Sequence, residues 1–340
     1  MRKFLIIIAI IAVLIIAYQI FIRLYYKSTA KNVSEVNSVV VENSENEIDI
    51  ASDEVREEKI TFKNEDSNLN LSGIIFTPSD FDSSKKYLAI VVTGPMLSVK
   101  EQAQSIYAKR LAQNGYVTMV FDYSYFGESE GEPRYLENPE VKSSDIHSAV
   151  SYLETLDYVD SEKIAGVGIC GSGSYMPYAA TTDDRIKVVA SIVPGTTMDT
   201  FIYKSLDEVE QDRIAYESGN ADPTYIDLMP RAYAEGAAYY YNKDRGYRDN
   251  WSNQAVSWSE EYFVNFHPTQ SIVNLTVPYI VLTGENAWSK SGAKELYENT
   301  SSEIKEYHEI EGAGHFDMYD LEPYVTENID YILEFFNNNL

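Results

Sequence analysis

Gly166-Val167-Gly168-Ile169-Cys170-Gly171-Ser172-Gly173 is the stretch on which the reading of this chain turns. An apolar run ends at Ile169 and a glycine-rich step follows, so the segment reads as a turn from a strand into a helix. Two motifs compete for it. As G-x-G-x-x-G (Gly166, Gly168, Gly171) it would hold a dinucleotide pyrophosphate. That pattern belongs on an early strand with an acid ending the next one, yet here the next strand reads Val189-Ala190-Ser191-Ile192-Val193-Pro194. As Gly-x-nucleophile-x-small (Gly168-Ile169-Cys170-Gly171-Ser172) it is a nucleophile elbow, in which a sharp turn demands small residues on either side of an exposed nucleophile. Cys170 then lies at a helix N-terminus, where backbone N–H groups and the dipole favour the thiolate. A lone Cys is otherwise a small buried hydrophobe, and the surrounding glycines are what argue for chemistry.

Outward from this turn, strands and helices alternate. Upstream, Lys59 to Lys63 and Leu69 to Phe76 predict two strands joined by polar turn residues. Tyr87 to Thr93 is an apolar run of the kind buried on both faces of a parallel sheet, ending at Gly94-Pro95. A helix is predicted over Lys100 to Asn114, stopped by Gly115, then a strand over Val117 to Phe121 and a helix over Glu140 to Leu156. Downstream come strands over Ile186 to Val193, Pro278 to Thr283 and Ile304 to Ile310, with helices over Ser291 to Asn299 and Pro323 to Asn337. Such alternation predicts an α/β domain: a mostly parallel sheet covered by helices. Residues 201–270 interrupt it with nine Tyr, two Trp and little strand signal, which predicts a helical insertion serving as a lid.

The N-terminus differs from this body. Met1-Arg2-Lys3 precedes an apolar run from Phe4 to Ile22, and 19 residues at about 1.5 Å each give roughly 28 Å of helix, close to a bilayer's hydrocarbon thickness. The run ends without the small residues of a cleavage site, so residues 1–31 are expected to be an uncleaved transmembrane anchor through 4–22. A very short basic N-terminal tail stays inside, which places the body outside the cytoplasm. Residues 32–58 carry nine acids against Arg56 and no aromatic residue, predicting a disordered spacer. The expected division is thus anchor 1–31, spacer 32–58 and domain 59–340.

Of the net charge of −26 over 340 residues, the anchor holds +5, the spacer −8 and the body −23. So acidic a body lacks the basic footprint that nucleic acid requires. One Cys excludes an internal disulfide framework, and four His without close His/His or His/Cys spacing argue against zinc.

A second chemical element is Glu311-Gly312-Ala313-Gly314-His315-Phe316-Asp317. His315 follows a strand through a glycine-rich turn ahead of the last helix, so the chain order is nucleophile, then base. His147 falls in a helical run and His308 in a strand, both structural positions, while His267 lies in the insertion.

In order and spacing, Val92-Thr93-Gly94-Pro95, Phe121-Asp122-Tyr123-Ser124-Tyr125-Phe126-Gly127-Glu128-Ser129, the Cys170 elbow, Leu282-Thr283-Gly284-Glu285 and Gly312-Ala313-Gly314-His315 resemble the α/β-hydrolase superfamily. The Cys at the elbow resembles its dienelactone-hydrolase-like branch. The resemblance implies Cys170 as nucleophile, His315 as base and the N–H of Gly171 as one oxyanion donor. The second donor comes from the loop after Thr93; Pro95 has no N–H, which leaves Met96, with Leu97 behind it. Asp122 is expected to order its loop. The orienting acid commonly lies three residues after the glycine here numbered 284, and that position is Ala287; Glu285 is the expected substitute, with Asp199 an alternative.

The implied activity is a membrane-anchored, cofactor-independent hydrolase that cleaves a small ester, lactone or thioester through an acyl-enzyme on Cys170. The competing expectation is a non-catalytic binding module whose triad has decayed, motivated by Ala287 and Pro95.

Overall fold

The computed structural model describes residues 55–196, 205–228 and 234–340. The anchor expected over 4–22, most of the spacer and Asp199 lie outside the described residues. Among the described residues, no helix is long and apolar enough to cross a membrane. The chain divides into two compact units, Met1–Asp49 with Met229–Ala238, and Ile50–Leu228 with Tyr239–Leu340. Of the first, only 234–238 are described, as the start of a helix; the sheet and the other helices belong to the second.

The elements run β1 (Val55–Lys63), β2 (Asn70–Pro78), β3 (Tyr87–Thr93), α1 (Ala103–Gln113), β4 (Val117–Phe121), α2 (Pro139–Glu154), β5 (Val159–Ile169), α3 (Ser172–Ala180), β6 (Ile186–Ile192), α4 (Leu206–Glu217), β7 (Tyr225–Asp227), α5 (Ala234–Tyr240), β8 (Gln254–Val256), α6 (Ser259–Asn265), α7 (Pro268–Ser271), β9 (Tyr279–Gly284), α8 (Lys290–Asn299), β10 (Lys305–Ile310), α9 (Asp317–Asp320) and α10 (Tyr324–Asn339). Eight strands form one sheet in the order β1-β2-β4-β3-β5-β6-β9-β10. β1 and β2 are antiparallel to their neighbours, and every pairing from β4 to β10 is parallel. This is the α/β architecture that the alternation predicts.

Local signals set the element ends. Asn138 caps α2, accepting from the Glu140 N–H at 2.9 Å, with Pro139 in the first turn. Gly115 ends α1 at φ +96°, a conformation that L side chains avoid. α10 buries Val325, Ile329, Ile332 and Phe336, which recur at helical spacing along one stripe. The central strands β3, β5 and β6 are buried almost throughout their apolar runs, which is why they read as continuous hydrophobic segments.

Two expectations need correction. Residues 55–58, expected in the spacer, belong to β1: Arg56, Glu57 and Glu58 pair with Thr77, Phe76 and Ile75 of β2. β1 is an edge strand, where exposed charges are favoured, so its acids resemble spacer in the sequence. The insertion is not purely helical, since β7 and β8 form an antiparallel ribbon with Tyr225 opposite Val256. Strands of three residues are too short to display a period of two.

The register aligns the carboxyl ends of the central strands: Thr93 lies beside Gly168, and Ile169 beside Ile192. The chain turns from β3 to β4 on one side and then returns to β5 on the other. In open α/β sheets ligands bind at such a switch point, beyond the carboxyl ends of the strands.

Candidate active site

Cys170 leaves β5 at φ +56°, a left-handed conformation costing a non-glycine residue about 1–2 kcal/mol. The surrounding chain enforces it. The Cys170 N–H donates to Ile192 O at 2.9 Å, and its carbonyl accepts from Gly173 N–H at 2.9 Å and Gly195 N–H at 2.7 Å. A Cβ on Gly168 would collide with Ser172 O, and one on Gly171 would lie 2.6 Å from Met96 Cγ. The glycines thus answer to the packing of an elbow. Cys170 itself remains only partly buried.

Gly171 follows Cys170 at the start of α3, and Met96 packs against it, its N 3.1 Å from where a Cβ on Gly171 would sit. Both residues expected to supply backbone donors therefore lie next to each other at the elbow. Leu97 does not join them, because its N–H donates to Glu137 Oε2 at 3.2 Å. That bond holds the loop after β3 in place, with Leu97 itself at φ +62°. Glu137 is fully buried and pairs with Lys142 at 2.6 Å. Lys142 Nζ in turn lies over the Tyr123 ring at 4.5 Å and the Phe126 ring at 4.7 Å. Asp122 orders the neighbouring segment as expected, accepting from Lys100 N–H at 2.7 Å and from Lys100 Nζ and Glu128 N–H, each at 2.8 Å.

His315 is fully buried. Its Nδ1 lies 2.8 Å from Ser289 Oγ and its Nε2 lies 3.0 Å from the Tyr319 hydroxyl. Trp288 stacks on the ring with centroids 4.2 Å apart. The carboxylate expected here is not brought to the ring: Glu285 is exposed, and its Oε2 accepts from the Gly312 N–H at 2.9 Å. Ala287 is buried in the turn after β9, its N–H bonded to Gly284 O at 3.0 Å. His147 and His308 stand in structural positions. The Nε2 of His147 is 3.0 Å from Ala179 O, and that of His308 is 2.9 Å from Glu306 Oε2.

Electrostatically, the resting site is neutral. Burial pushes the Cys170 thiol up to about 11, against the opposing hydrogen bonds from Tyr319, Gly171 and Met96. Burial alone pushes His315 down to about 3. Desolvation of the charged form thus opposes the local dipoles that favour the thiolate at a helix N-terminus.

The insertion completes the surroundings. Tyr239 packs edge-on against Tyr319 at 5.0 Å, and Tyr240 stacks on Trp251 at 4.7 Å. Arg245 binds Asp320 at 2.6 Å and donates to Phe316 O at 3.0 Å, fastening this segment to α9. Among the described residues, the Tyr240 hydroxyl, buried near Tyr319 and Cys170, has no hydrogen-bond partner of normal geometry. Sequence reasoning missed Tyr319, Ser289, Tyr240 and Glu137. Tyr319 alone left a trace, lying four residues after His315 in the short helix that follows it.

No protein-family model matches the chain. It is 34% identical over 302 residues to the uncharacterized protein YcjY of Escherichia coli K12, spanning 83% of this chain and 99% of that one. To the uncharacterized protein PA2218 of Pseudomonas aeruginosa it is 30% identical over 307 residues, spanning 84% and 81%. The crystal structure of PA2218 superposes with a TM-score of 0.76, covering 85% of this chain and 95% of that one. The quorum-quenching protein AidA of Acinetobacter baumannii is 25% identical over 268 residues, spanning 72% and 85%. Two more distant structures share the fold. The α/β hydrolase GrgF of Penicillium sp. sh18 has a TM-score of 0.68 at 20% identity, covering 84% of this chain and 99% of that one. Est1E of Butyrivibrio proteoclasticus with bound ferulic acid has a TM-score of 0.57 at 17% identity, covering 81% and 98%.

Proposed function

As the chain belongs to the family of Escherichia coli YcjY and Pseudomonas aeruginosa PA2218 and has the α/β-hydrolase fold, we propose that it hydrolyses an ester, lactone or thioester of a small molecule through an acyl-enzyme on Cys170. The observation that carries this reading is the elbow itself: Cys170 held at φ +56° at the carboxyl end of β5, with Gly171 and Met96 packed together beside it. The N–H groups of these two residues would stabilise the oxyanion of a tetrahedral intermediate, the largest single contribution in acyl transfer. The Cys at the elbow is the feature shared with dienelactone-hydrolase-like proteins. The ferulic acid bound to Est1E fits a small-molecule substrate.

In the mechanism, His315 takes up the thiol proton as the sulfur attacks the substrate carbonyl, and the oxyanion forms against Gly171 and Met96 N–H. Collapse expels the alcohol or thiol, which collects its proton from His315, and water then cleaves the thioester with His315 as base. Because the resting pair is neutral, charge separates only when a substrate is present to receive it. Each step uses a group of this chain, and no cofactor enters.

The test is turnover of short-chain aryl esters and labelling of Cys170 by iodoacetamide from pH 6 to 9, each compared with Cys170→Ala. Saturable turnover lost in the variant supports the proposal; neither turnover nor labelling sinks it. A second reading, a non-catalytic binding module, is favoured by Ser289, rather than a carboxylate of the described residues, facing His315 Nδ1. The same experiment separates the two.

We further propose that residues 4–22 tether the domain to a membrane, with the body outside the cytoplasm. The apolar run flanked by Arg2, Lys3 and Arg23 supports this. Release of the full-length chain from membranes by alkaline carbonate would contradict it.

A further inference from the structure

The turn after β9, where an orienting carboxylate would stand, brings two consecutive residues to His315. Ser289 is 2.8 Å from Nδ1, and the indole of Trp288 lies on the face of the imidazole, with centroids 4.2 Å apart and planes 24° from parallel. We propose that Trp288 is a positioning residue that takes over the carboxylate's electrostatic part, its π face stabilising the imidazolium that His315 becomes on accepting the thiol proton. The role rests on the acyl-enzyme mechanism.

The physical ground is the quadrupole of an aromatic ring. Its negative face attracts a cation within about 6 Å of the centroid, and indole does so most strongly. A neutral imidazole gains far less from the same face, so the attraction grows as the ring is protonated, and an interaction that grows towards the transition state raises kcat. In that step the Cys170 S–H bond breaks with its electron pair left on sulfur, and the proton becomes a ring N–H of His315. The charge is then spread over the whole imidazole, which suits a partner on its face. Phe316 and Tyr319 complete an aromatic enclosure, their rings 5.0 and 5.5 Å from the imidazole and inclined to it by 66° and 62°.

The charged groups nearby are engaged elsewhere. Glu285 Oε2 accepts from Gly312 N–H, Asp317 Oδ2 accepts from Gly314 N–H at 2.9 Å, and Asp320 pairs with Arg245 at 2.6 Å. Tyr319, whose hydroxyl is 3.0 Å from Nε2, stays a neutral phenol because burial pushes it well above its usual range, and the Cys170 thiol is likewise neutral at rest. Among the described residues, no carboxylate is hydrogen-bonded to the imidazole.

The stack is held by backbone. Asn286 N–H donates to Ala313 O at 2.9 Å and Asn286 Nδ2 to Gly312 O at 3.1 Å, which ties the turn carrying Trp288 to the turn carrying His315. The two turns approach so closely that a Cβ on Gly284 would lie 2.3 Å from Ala313 O. Trp288 is nonetheless 38% exposed, so burial of apolar surface does not by itself account for a tryptophan there.

The experiment is single-turnover acylation of the full chain by p-nitrophenyl butyrate, beside the rate of Cys170 alkylation by iodoacetamide. Both are measured on Trp288→Phe, on Trp288→Leu and on wild type containing tryptophan, a monofluorinated tryptophan or a difluorinated one. Fluorine withdraws π density while nearly preserving the shape of the ring, so a role in packing alone does not respond to it. Both rates are expected to fall stepwise with fluorination. Trp288→Leu should slow them by about 3- to 30-fold, with Trp288→Phe between and KM little changed. The same series in Trp288→Phe controls for Trp251 and Trp258, and the dependence on fluorine should vanish there. Rates indifferent to fluorination overturn the proposal, as does a dependence that persists in Trp288→Phe or a Trp288→Leu variant within about twofold of wild type. Each of these results leaves Cys170 as nucleophile. A wild type that is neither acylated nor alkylated overturns the acyl-enzyme mechanism and this role with it. The fluorinated wild type keeps every side chain, so its result does not depend on a variant folding.

Discussion

Ser289 Oγ stands 2.8 Å from His315 Nδ1, on the side of the ring where an orienting carboxylate would stabilise an imidazolium. A hydroxyl fixes the tautomer and the ring plane but offers no counter-charge. Ser289 is accordingly a positioning residue. Ser289→Ala leaves a buried N–H without a partner, which costs about 1–3 kcal/mol of stability. It should lower kcat by about tenfold with KM nearly unchanged. Ser289→Thr, which keeps the hydroxyl, should restore most of kcat; a Thr variant as slow as Ala would argue against positioning.

Among the described residues, the buried Tyr240 hydroxyl has no hydrogen bond of normal geometry to lose. Tyr240→Phe should therefore leave the urea midpoint unchanged or raise it, by up to about 1–3 kcal/mol, because an unsatisfied polar group is removed. If substrate uses that hydroxyl, KM rises in the same variant. A fall in stability above about 1 kcal/mol would show that the hydroxyl is already satisfied.

Glu137 and Lys142 form a buried ion pair whose carboxylate also accepts from Leu97 N–H and from the Tyr175 hydroxyl at 3.0 Å. Removing one partner strands the other charge. Glu137→Ala should destabilise the fold by about 3–5 kcal/mol. It should also loosen the Met96 donor, so that kcat falls in whatever folded fraction remains. The double variant Glu137→Leu with Lys142→Met should lose less stability than the sum of the single changes. Additive losses in urea unfolding would refute the pairing argument.

Stability should depend on pH through the two neutral groups of the site. His315 ionises at about 3 when folded and at an ordinary 6.5 when unfolded. Its contribution is fully present above pH 6.5 and is lost as pH falls towards 3, at up to about 1.4 kcal/mol per pH unit. Cys170, raised to about 11 from 9.0, contributes stability below pH 9 that is lost as pH rises through 11. Asp145, raised to about 6 by burial, acts against His315 in acid, since its contribution is present below 3.8 and is lost as pH rises through 6. The comparison that isolates His315 is thus wild type against His315→Gln. Their difference should shrink steadily from pH 6.5 to 3, and a difference independent of pH would contradict a buried neutral imidazole.

The sequence alone determined the parts of this protein that depend on neighbours along the chain. The elbow at Gly168-Ile169-Cys170-Gly171-Ser172, the central strands and the His315 turn are local patterns of size, glycine and apolar period. Met96 as the expected oxyanion donor came from the family resemblance, which pointed to this loop, and from Pro95 having no N–H. What lay beyond reach depends on which distant segments meet. Glu285 and Ser289 follow β9 within five residues of each other, yet the path of the turn takes Glu285 to Gly312 and Ser289 to His315. Trp288 gains its meaning only because the same turn lays its ring on His315. The ionisation of Cys170 and His315 was decided by burial, and burial is a sum over the whole fold: dipoles at a helix end can be read in the sequence, whereas the desolvation that outweighs them exists only once the chain has closed around the site.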